Sequence, residues 1–286
     1  MPQSFFQRGL TSEFAARYLL VDVSDIAETA RQKHKLKKRA SVLMAESIAA
    51  SALMASQIKG KERLTIQIQG ERPKFSFICD INADGGVRSR ISPSTTPHPK
   101  DRAIKGLMLA IKHNDKKELY RGITPIEHQP IDQALQRHLQ QSSQVDVVVR
   151  IVITLRENGK IARAIGVLLE RLPPAKDLPA LNTTQFNERY LPIHNLQIDN
   201  FIKQIDEKKL LGQDLHDMET RNLSWQCKCS VEQIRAMLFS LGSQELEAII
   251  VEQGQAKVNC HFCNTDYIIA KPELQKMILQ HERNYN

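Results

Sequence analysis

Aromatic residues are scarce in this chain: one tryptophan, five tyrosines and nine phenylalanines make up 5% of 286 positions. None falls in its densest basic run, Arg31-Gln32-Lys33-His34-Lys35-Leu36-Lys37-Lys38-Arg39, which therefore lacks the stacking platforms of a single-strand nucleic-acid groove. No apolar run approaches the ~20 residues that span a bilayer. The opening Met1-Pro2-Gln3-Ser4-Phe5-Phe6-Gln7-Arg8 has no charged-then-apolar signal pattern. The expected compartment is the cytoplasm, with no membrane partner. A phosphate-binding glycine loop, H-E-x-x-H and G-x-S-x-G are all missing, and the histidines are scattered, so the chain is not expected to be an enzyme. Cysteine is sparse as well. Of the five, four lie in the last 60 residues. In a reducing compartment clustered thiols bind metal or sense oxidant more often than they form struts.

What is present is an ordinary globular composition, 41% hydrophobic and 25% charged, long enough for a main domain and something smaller. The net charge of +8 is uneven: residues 1–176 carry +12 and residues 177–286 carry −4, so the two parts should attract. The basic run at 31–39 reads first as a helix start or inter-helix turn. A nucleic-acid patch is the alternative.

The patterning predicts an α+β fold. A strand at Leu19–Val23 leads to Ser24, which would cap a helix carrying Ile26 and Ala30. Over 36–57, Leu43, Ala50, Leu53 and Met54 recur at helical spacing among many Ala and Ser residues, which suits close packing on a sheet. Alternation then marks strands at Leu64–Ile68, Phe75–Cys79 and Val87–Ile91, with Asp84-Gly85-Gly86 as a turn, and further strands at Leu107–Lys112 and Leu119–Ile123. A short helix presents Ile131, Leu135 and Leu139. Val145–Leu155 and Ile161–Leu169 flank Glu157-Asn158-Gly159-Lys160, where Asn-Gly supplies the pair of positive φ angles of a type I′ turn. Residues 1–172 thus form one domain with a mostly antiparallel sheet and packed helices.

Proline steps at Leu172-Pro173-Pro174-Ala175-Lys176-Asp177-Leu178-Pro179 end it. Residues 173–222 read as a polar helical linker with Ile202, Ile205 and Leu210 as sparse anchors, marginally stable and hence the natural moving part.

Residues 223–286 form a small C-terminal domain around Trp225-Gln226-Cys227-Lys228-Cys229-Ser230 and Val258-Asn259-Cys260-His261-Phe262-Cys263-Asn264. The spacer predicts two short helices, the first opened by a capping box of Ser230 with Gln233 and closed at Gly242, the second running from Ser243 to about Gly254. A hairpin around C-x-x-C follows, and Pro272 opens a last helix. Soft thiolates from two paired arms, Cys227, Cys229, Cys260 and Cys263, select one Zn2+ in a tetrahedral site whose binding supplies folding free energy. A disulfide within C-x-C closes a small strained ring, which reduces readily, and zinc holds the sulfurs as the thiolates that oxidants attack. Oxidation then becomes unfolding. Cys79 reads as a buried core thiol and His261 as exposed. A thiol oxidoreductase is disfavoured because C-x-x-C sits in a hairpin rather than at a helix start.

The C-x-C, thirty-residue gap and C-x-x-C, with Trp225 before and Tyr267-Ile268-Ile269 after, resemble the redox-regulated 33-kilodalton heat-shock chaperone family. Upstream, Ile66-Gln67-Ile68-Gln69-Gly70, Tyr120-Arg121-Gly122-Ile123 and Leu139-Gln140-Gln141-Ser142-Ser143-Gln144 stand in that family's order and spacing. The resemblance implies an ATP-independent holdase that binds unfolded or partly folded clients and prevents their aggregation under oxidative stress. It is inactive when reduced and zinc-bound, active once disulfides Cys227–Cys229 and Cys260–Cys263 form and zinc is lost, and often a homodimer when oxidised. This chain departs from the family in being basic and in ending the helix with Gln141-Ser142-Ser143-Gln144. A zinc-ribbon nucleic-acid-binding protein is the competing reading, since the pI is about 9.2.

Overall fold

Two six-stranded sheets with helices between them build Met1–Trp225, the first of two units in the computed structural model of the chain; Gln226–Asn286 is the second. The structure describes residues 3–93, 102–174 and 178–285, so residues 175–177 of the proline-rich boundary lie outside it. Along the first unit run β1 (Phe5–Thr11), β2 (Ala16–Asp22), α1 (Ser24–Lys33), α2 (Lys38–Met54), β3 (Arg63–Arg72), β4 (Lys74–Asn82) and β5 (Gly86–Ser92). Next come β6 (Ile104–His113), β7 (Glu118–Gln129), α3 (Ile131–Ser143), β8 (Val147–Leu155) and β9 (Ile161–Arg171). The unit ends with α4 (Thr183–Tyr190), α5 (Ile198–Asp206), β10 (Lys209–Leu210), β11 (Gln213–Asn222) and β12 (Ser224–Trp225). The second unit holds α6 (Val231–Phe239), α7 (Ser243–Gln253), β13 (Gln255–Asn259), β14 (Asp266–Ala270) and α8 (Lys271–Tyr285).

The fold is α+β, as the patterning predicts, but with two large sheets rather than one. Their strand orders are β10-β11-β1-β2-β9-β8 and β12-β5-β4-β3-β6-β7, antiparallel throughout except for the parallel β12–β5 pair. Helix α2 lies between them, packed on β2, β8 and β9 of one sheet and on β4 and β5 of the other. That position explains its run of small residues. Nearly every side chain from Ala40 to Leu53 is buried, and the hydroxyls of Ser41, Ser47 and Ser51 donate to the carbonyls of Lys37, Leu43 and Ser47 at 2.9, 2.8 and 2.7 Å. A serine that bonds its own helix in this way can enter a core without an orphaned hydroxyl. Cys79 joins the same core, fully buried, and burial pushes its thiol well up.

Two local expectations change, and one holds. Ser24 begins α1 but does not cap it; its hydroxyl instead accepts the Ala164 N–H at 2.9 Å and ties the helix start to β9. The β8–β9 connection is not type I′. Only Gly159 has positive φ (77°), Gly159 N–H donates to Arg156 O at 2.8 Å, and Arg156 N–H donates to Lys160 O at 2.9 Å, the pattern of a type I turn closed by a glycine bulge. The basic run of residues 31–39 covers the end of α1, the junction and the start of α2; Arg31 there pairs with Glu28 at 2.7 Å.

The largest difference concerns residues 178–222, read from sequence as helical and poor in buried surface. The first part is helical: α4 has a full capping box, Asn182 with Gln185, and α5 follows a short 3-10 turn at Leu191–Asn195. The last part is not. β11 pairs with β1 from Phe5↔Asn222 to Thr11↔Leu215. Moreover Phe186, Tyr190, Ile193, Phe201 and Ile205 are buried against Tyr18, Leu20, Val148, Val152, Ile165, Val167 and Leu169 on the outer face of the first sheet. Both faces of that sheet are therefore covered, one by α1 to α3 and the other by this segment. At its end the chain crosses to the second sheet beside Gly85, whose φ is 89° and whose missing Cβ would lie 2.1 Å from Asn222 O; no other residue fits there.

The second unit has its own small core of Leu238, Leu246, Ala256, Ile269, Leu274, Met277 and Ile278. Among the described residues no helix is long and apolar enough to cross a membrane.

Candidate metal centre

Each sulfur-bearing arm is positioned by local structure. Cys227 and Cys229 stand immediately before α6, where Ser230 accepts the Gln233 N–H at 3.2 Å, the forward half of the expected capping box. Cys260 and Cys263 occupy the connection of the β13–β14 hairpin, in register from Gln255↔Ala270 to Asn259↔Asp266. That knuckle is closed by Cys260 N–H to Thr265 O at 2.9 Å and Asn264 N–H to Cys260 O at 2.7 Å, with Asn264 left-handed at φ 54°. Asparagine tolerates that conformation because its short amide bonds locally; here it meets Asn259, whose amide also donates to Asp266 at 2.7 Å.

The four sulfurs converge, all within 4.8 Å of one another, and could hold a metal ion. Cys227 lies 3.4 Å from Cys229 and 3.6 Å from Cys260, and Cys229 lies 3.2 Å from Cys263; none of these is a disulfide. Cys263 is buried and the other three are half-buried. His261, between the knuckle cysteines, is exposed.

Two hydroxyls that the sequence reading did not assign to the cluster reach it. Tyr267 O–H donates toward Cys229, 3.0 Å from its sulfur and 3.2 Å from its carbonyl, and Cys263 lies 3.2 Å from the Thr265 hydroxyl. The signal for Tyr267 was strand alternation, which puts it on the same face of β14 as buried Ile269. Burial pushes Cys227 up to about 12 and raises Cys229 as well. At Cys263 burial also opposes ionisation, but the Thr265 hydroxyl and the neighbouring thiols outweigh it and bring the group down to about 7. Four clustered thiols thus resist ionising together unless a cation supplies the countercharge.

The pattern described as Hsp33 protein matches residues 4–270. The chain belongs to the Hsp33 family. Members share most of their length with it. The 33 kDa chaperonin of Shouchella clausii is 27% identical over 277 residues, covering 93% of this chain and 94% of its own. That of Desulfotalea psychrophila is 28% identical over 271 residues, with 90% and 91% covered. The crystal structure of the 33 kDa chaperonin from Thermotoga maritima superimposes with a TM-score of 0.81 over 98% of this chain and 99% of that one. At 20% identity that likeness is one of fold.

Proposed function

We propose that this protein is a redox-regulated, ATP-independent holdase that binds unfolded or partly folded proteins under oxidative stress and keeps them from aggregating. Its membership of a chaperone family supports the class; the four converging cysteines carry the regulation. In the resting state Cys227, Cys229, Cys260 and Cys263 hold one Zn2+. The donor set fits: a tetrahedron of sulfurs about 2.3 Å from zinc has edges of about 3.8 Å, close to the 3.2 to 3.6 Å separations of this cluster. Bound there, zinc supplies countercharge to the thiolates and folding free energy to a unit with a small core.

Activation is a two-electron oxidation at each arm. At each arm one hydrogen peroxide takes up two electrons and two protons and leaves as two waters, while the S–S bond Cys227–Cys229 or Cys260–Cys263 forms. The geometry brings every sulfur within reach of the others, and chain connectivity favours this pairing: partners on one arm stay together when the cluster opens, whereas partners on different arms do not. Oxidation deprives the metal of its ligands, and the second unit loses its organising centre. Residues 173–222 are the proposed responsive segment. β12 and the first ligand, Cys227, are nearly adjacent in sequence, so disorder in the second unit reaches the end of that segment directly. Its departure would bare the apolar outer face of the first sheet. The working state is then a client-binding form, dimeric on this reading, in the cytoplasm, with no catalytic role.

The test follows light scattering of a heat-denatured client with reduced, zinc-loaded protein and with peroxide-treated protein. Protection by the oxidised form alone is expected. Equal protection by both forms, or by neither, would sink the proposal.

A further inference from the structure

Arg150 projects from β8 onto the outer face of the first sheet, into a neighbourhood otherwise made of Val148, Val152, Phe201 and their apolar companions, and is only 7% exposed. A guanidinium in such a place normally meets a carboxylate. Among the described residues this one forms no ion pair. Its two terminal nitrogens donate instead to main-chain carbonyls, Nη1 to Ile193 O and Nη2 to Leu196 O, the latter at 2.6 Å, and its guanidinium carbon lies 4.8 Å from the centre of the Phe201 ring. Those carbonyls sit at the end of the 3-10 turn Leu191–Asn195, where the turn's partial negative charge gathers; Ile193 O also accepts the Leu196 N–H, but only at 3.4 Å. Arg150 thus caps, from the sheet, the element that joins α4 to α5.

Of the other polar attachments of this segment, one is buried but neutral, the Tyr190 and Thr11 hydroxyls at 3.2 Å, and three are at the rim: Arg163 to Asp206 at 2.8 Å, Arg189 to Glu13 at 3.1 Å and Thr183 to Asp146 at 2.8 Å, each with a partly exposed member. Exposed pairs contribute little. A buried, charge-assisted fork contributes more, and it has a property the rim pairs lack. It recognises two oxygens that lie side by side only while the chain between them is turned. When residues 193–196 straighten, the oxygens separate, and the guanidinium is left on an apolar surface where water is its best partner.

We propose that Arg150 is the positioning residue that holds residues 183–206 on the first sheet, binding them only while the 191–196 turn is folded and so setting the threshold at which the segment detaches. This rests on the reading of that segment as the responsive part of a chaperone, but the anchor can be tested without client or oxidant.

Hydrogen exchange is followed by mass spectrometry on the reduced, zinc-loaded full chain. Arg150→Ala should speed exchange across residues 183–206 by about tenfold or more, the loss expected for a hydrogen-bonded charge, with residues 63–113 in the second sheet unchanged. Arg150→Lys, which keeps the charge but meets at most one carbonyl at a time, should fall between. Arg150→Met keeps the length and apolar stem without donors, and should behave like Arg150→Ala. Protection by Met equal to that by Arg would overturn the proposal, as would acceleration spread evenly over the first unit. If Arg150→Ala does not fold, the Lys and Met variants decide. Should wild-type protein fail the light-scattering test while these variants behave as described, the chaperone reading fails and the anchor stands.

Discussion

The hydroxyl of Tyr267 lies 3.0 Å from Cys229 Sγ, so a phenol on the return strand of the hairpin steadies a sulfur on the other arm of the cluster. A hydrogen bond to a thiolate ligand fixes its orientation and spreads its charge. Tyr267→Phe removes the bond and leaves the ring. On the proposed reading its zinc affinity drops about tenfold, the lower end of the range for partners of metal ligands. Competition with a chromophoric chelator at fixed pH measures the change, and unaltered affinity would show that the bond is idle.

Removing the metal should unfold one unit and spare the other. Among the described residues the second unit's apolar core is Leu238, Leu246, Ala256, Ile269, Leu274, Met277 and Ile278, a core of the size that needs a staple. The first unit's core contains none of the four cluster cysteines. Chelation under reducing conditions is expected to abolish exchange protection in α6, α7 and α8 while the strands of the second sheet keep theirs.

Glu28 links α1 to β9 and should make the first unit sensitive to acid. Burial by itself would raise this carboxyl, but Arg31 at 2.7 Å, the Ile161 N–H at 3.0 Å and Gln32 at 2.8 Å outweigh it and hold the group at about 2, below its ordinary 4.5. A depressed carboxyl stabilises the fold above its unfolded pKa and loses that contribution as pH falls through the folded one. Glu28→Gln should therefore cost about 2 kcal/mol at pH 7, with the gap from wild type closing between 4.5 and 2. Urea unfolding of both proteins across that range tests the sign.

His194 has the opposite chemistry and the same sense. It sits on the turn that Arg150 caps, and burial lowers its pKa from 6.5; Arg150 on β8 and Arg102 ahead of β6 lower it further, while Asp132 on α3 opposes them. A base whose pKa is lowered on folding favours the folded form above the unfolded value and opposes it as pH falls. Docking of residues 191–206 should weaken several-fold between pH 7.5 and 5.5, seen as faster hydrogen exchange after correction for intrinsic rates. His194→Gln should flatten the dependence. Metal content measured in parallel separates this effect from protonation of the cysteines.

Where the determinants are local, the sequence was readable. The C-terminal unit follows from a serine ahead of α6, glycines at 242 and 254, a C-x-x-C knuckle and a first-turn proline, each acting within a few residues. β11 was not readable. Its residues, Gln213-Asp214-Leu215-His216-Asp217-Met218-Glu219-Thr220-Arg221-Asn222, are mostly polar, and only Gln213 and Leu215 are buried, so nothing local favours a strand. It is a strand because β1 lies open beside it, and that pairing joins opposite ends of the unit. The role of Arg150 was equally hidden: a charged residue in the apolar run Val147–Leu155 has meaning only once residues 193 and 196 are placed over it. The four cysteines could be grouped from spacing alone; the hydroxyls of Tyr267 and Thr265 required the hairpin's register.

The pairing of β1 with β11 also bears on how the molecule is made. β1 leaves the ribosome ahead of the other strands of its unit, yet its outer partner is among the last parts of that unit to be synthesised. Until residue 222 emerges, β1 presents an open edge, and the apolar face on which α4 and α5 will lie is bare. A nascent chain therefore passes through an arrangement much like the proposed client-binding one before it has any cysteine cluster to control it. Newly made molecules would be guarded in that interval by the speed with which the last fifty residues of the unit fold back, rather than by redox state.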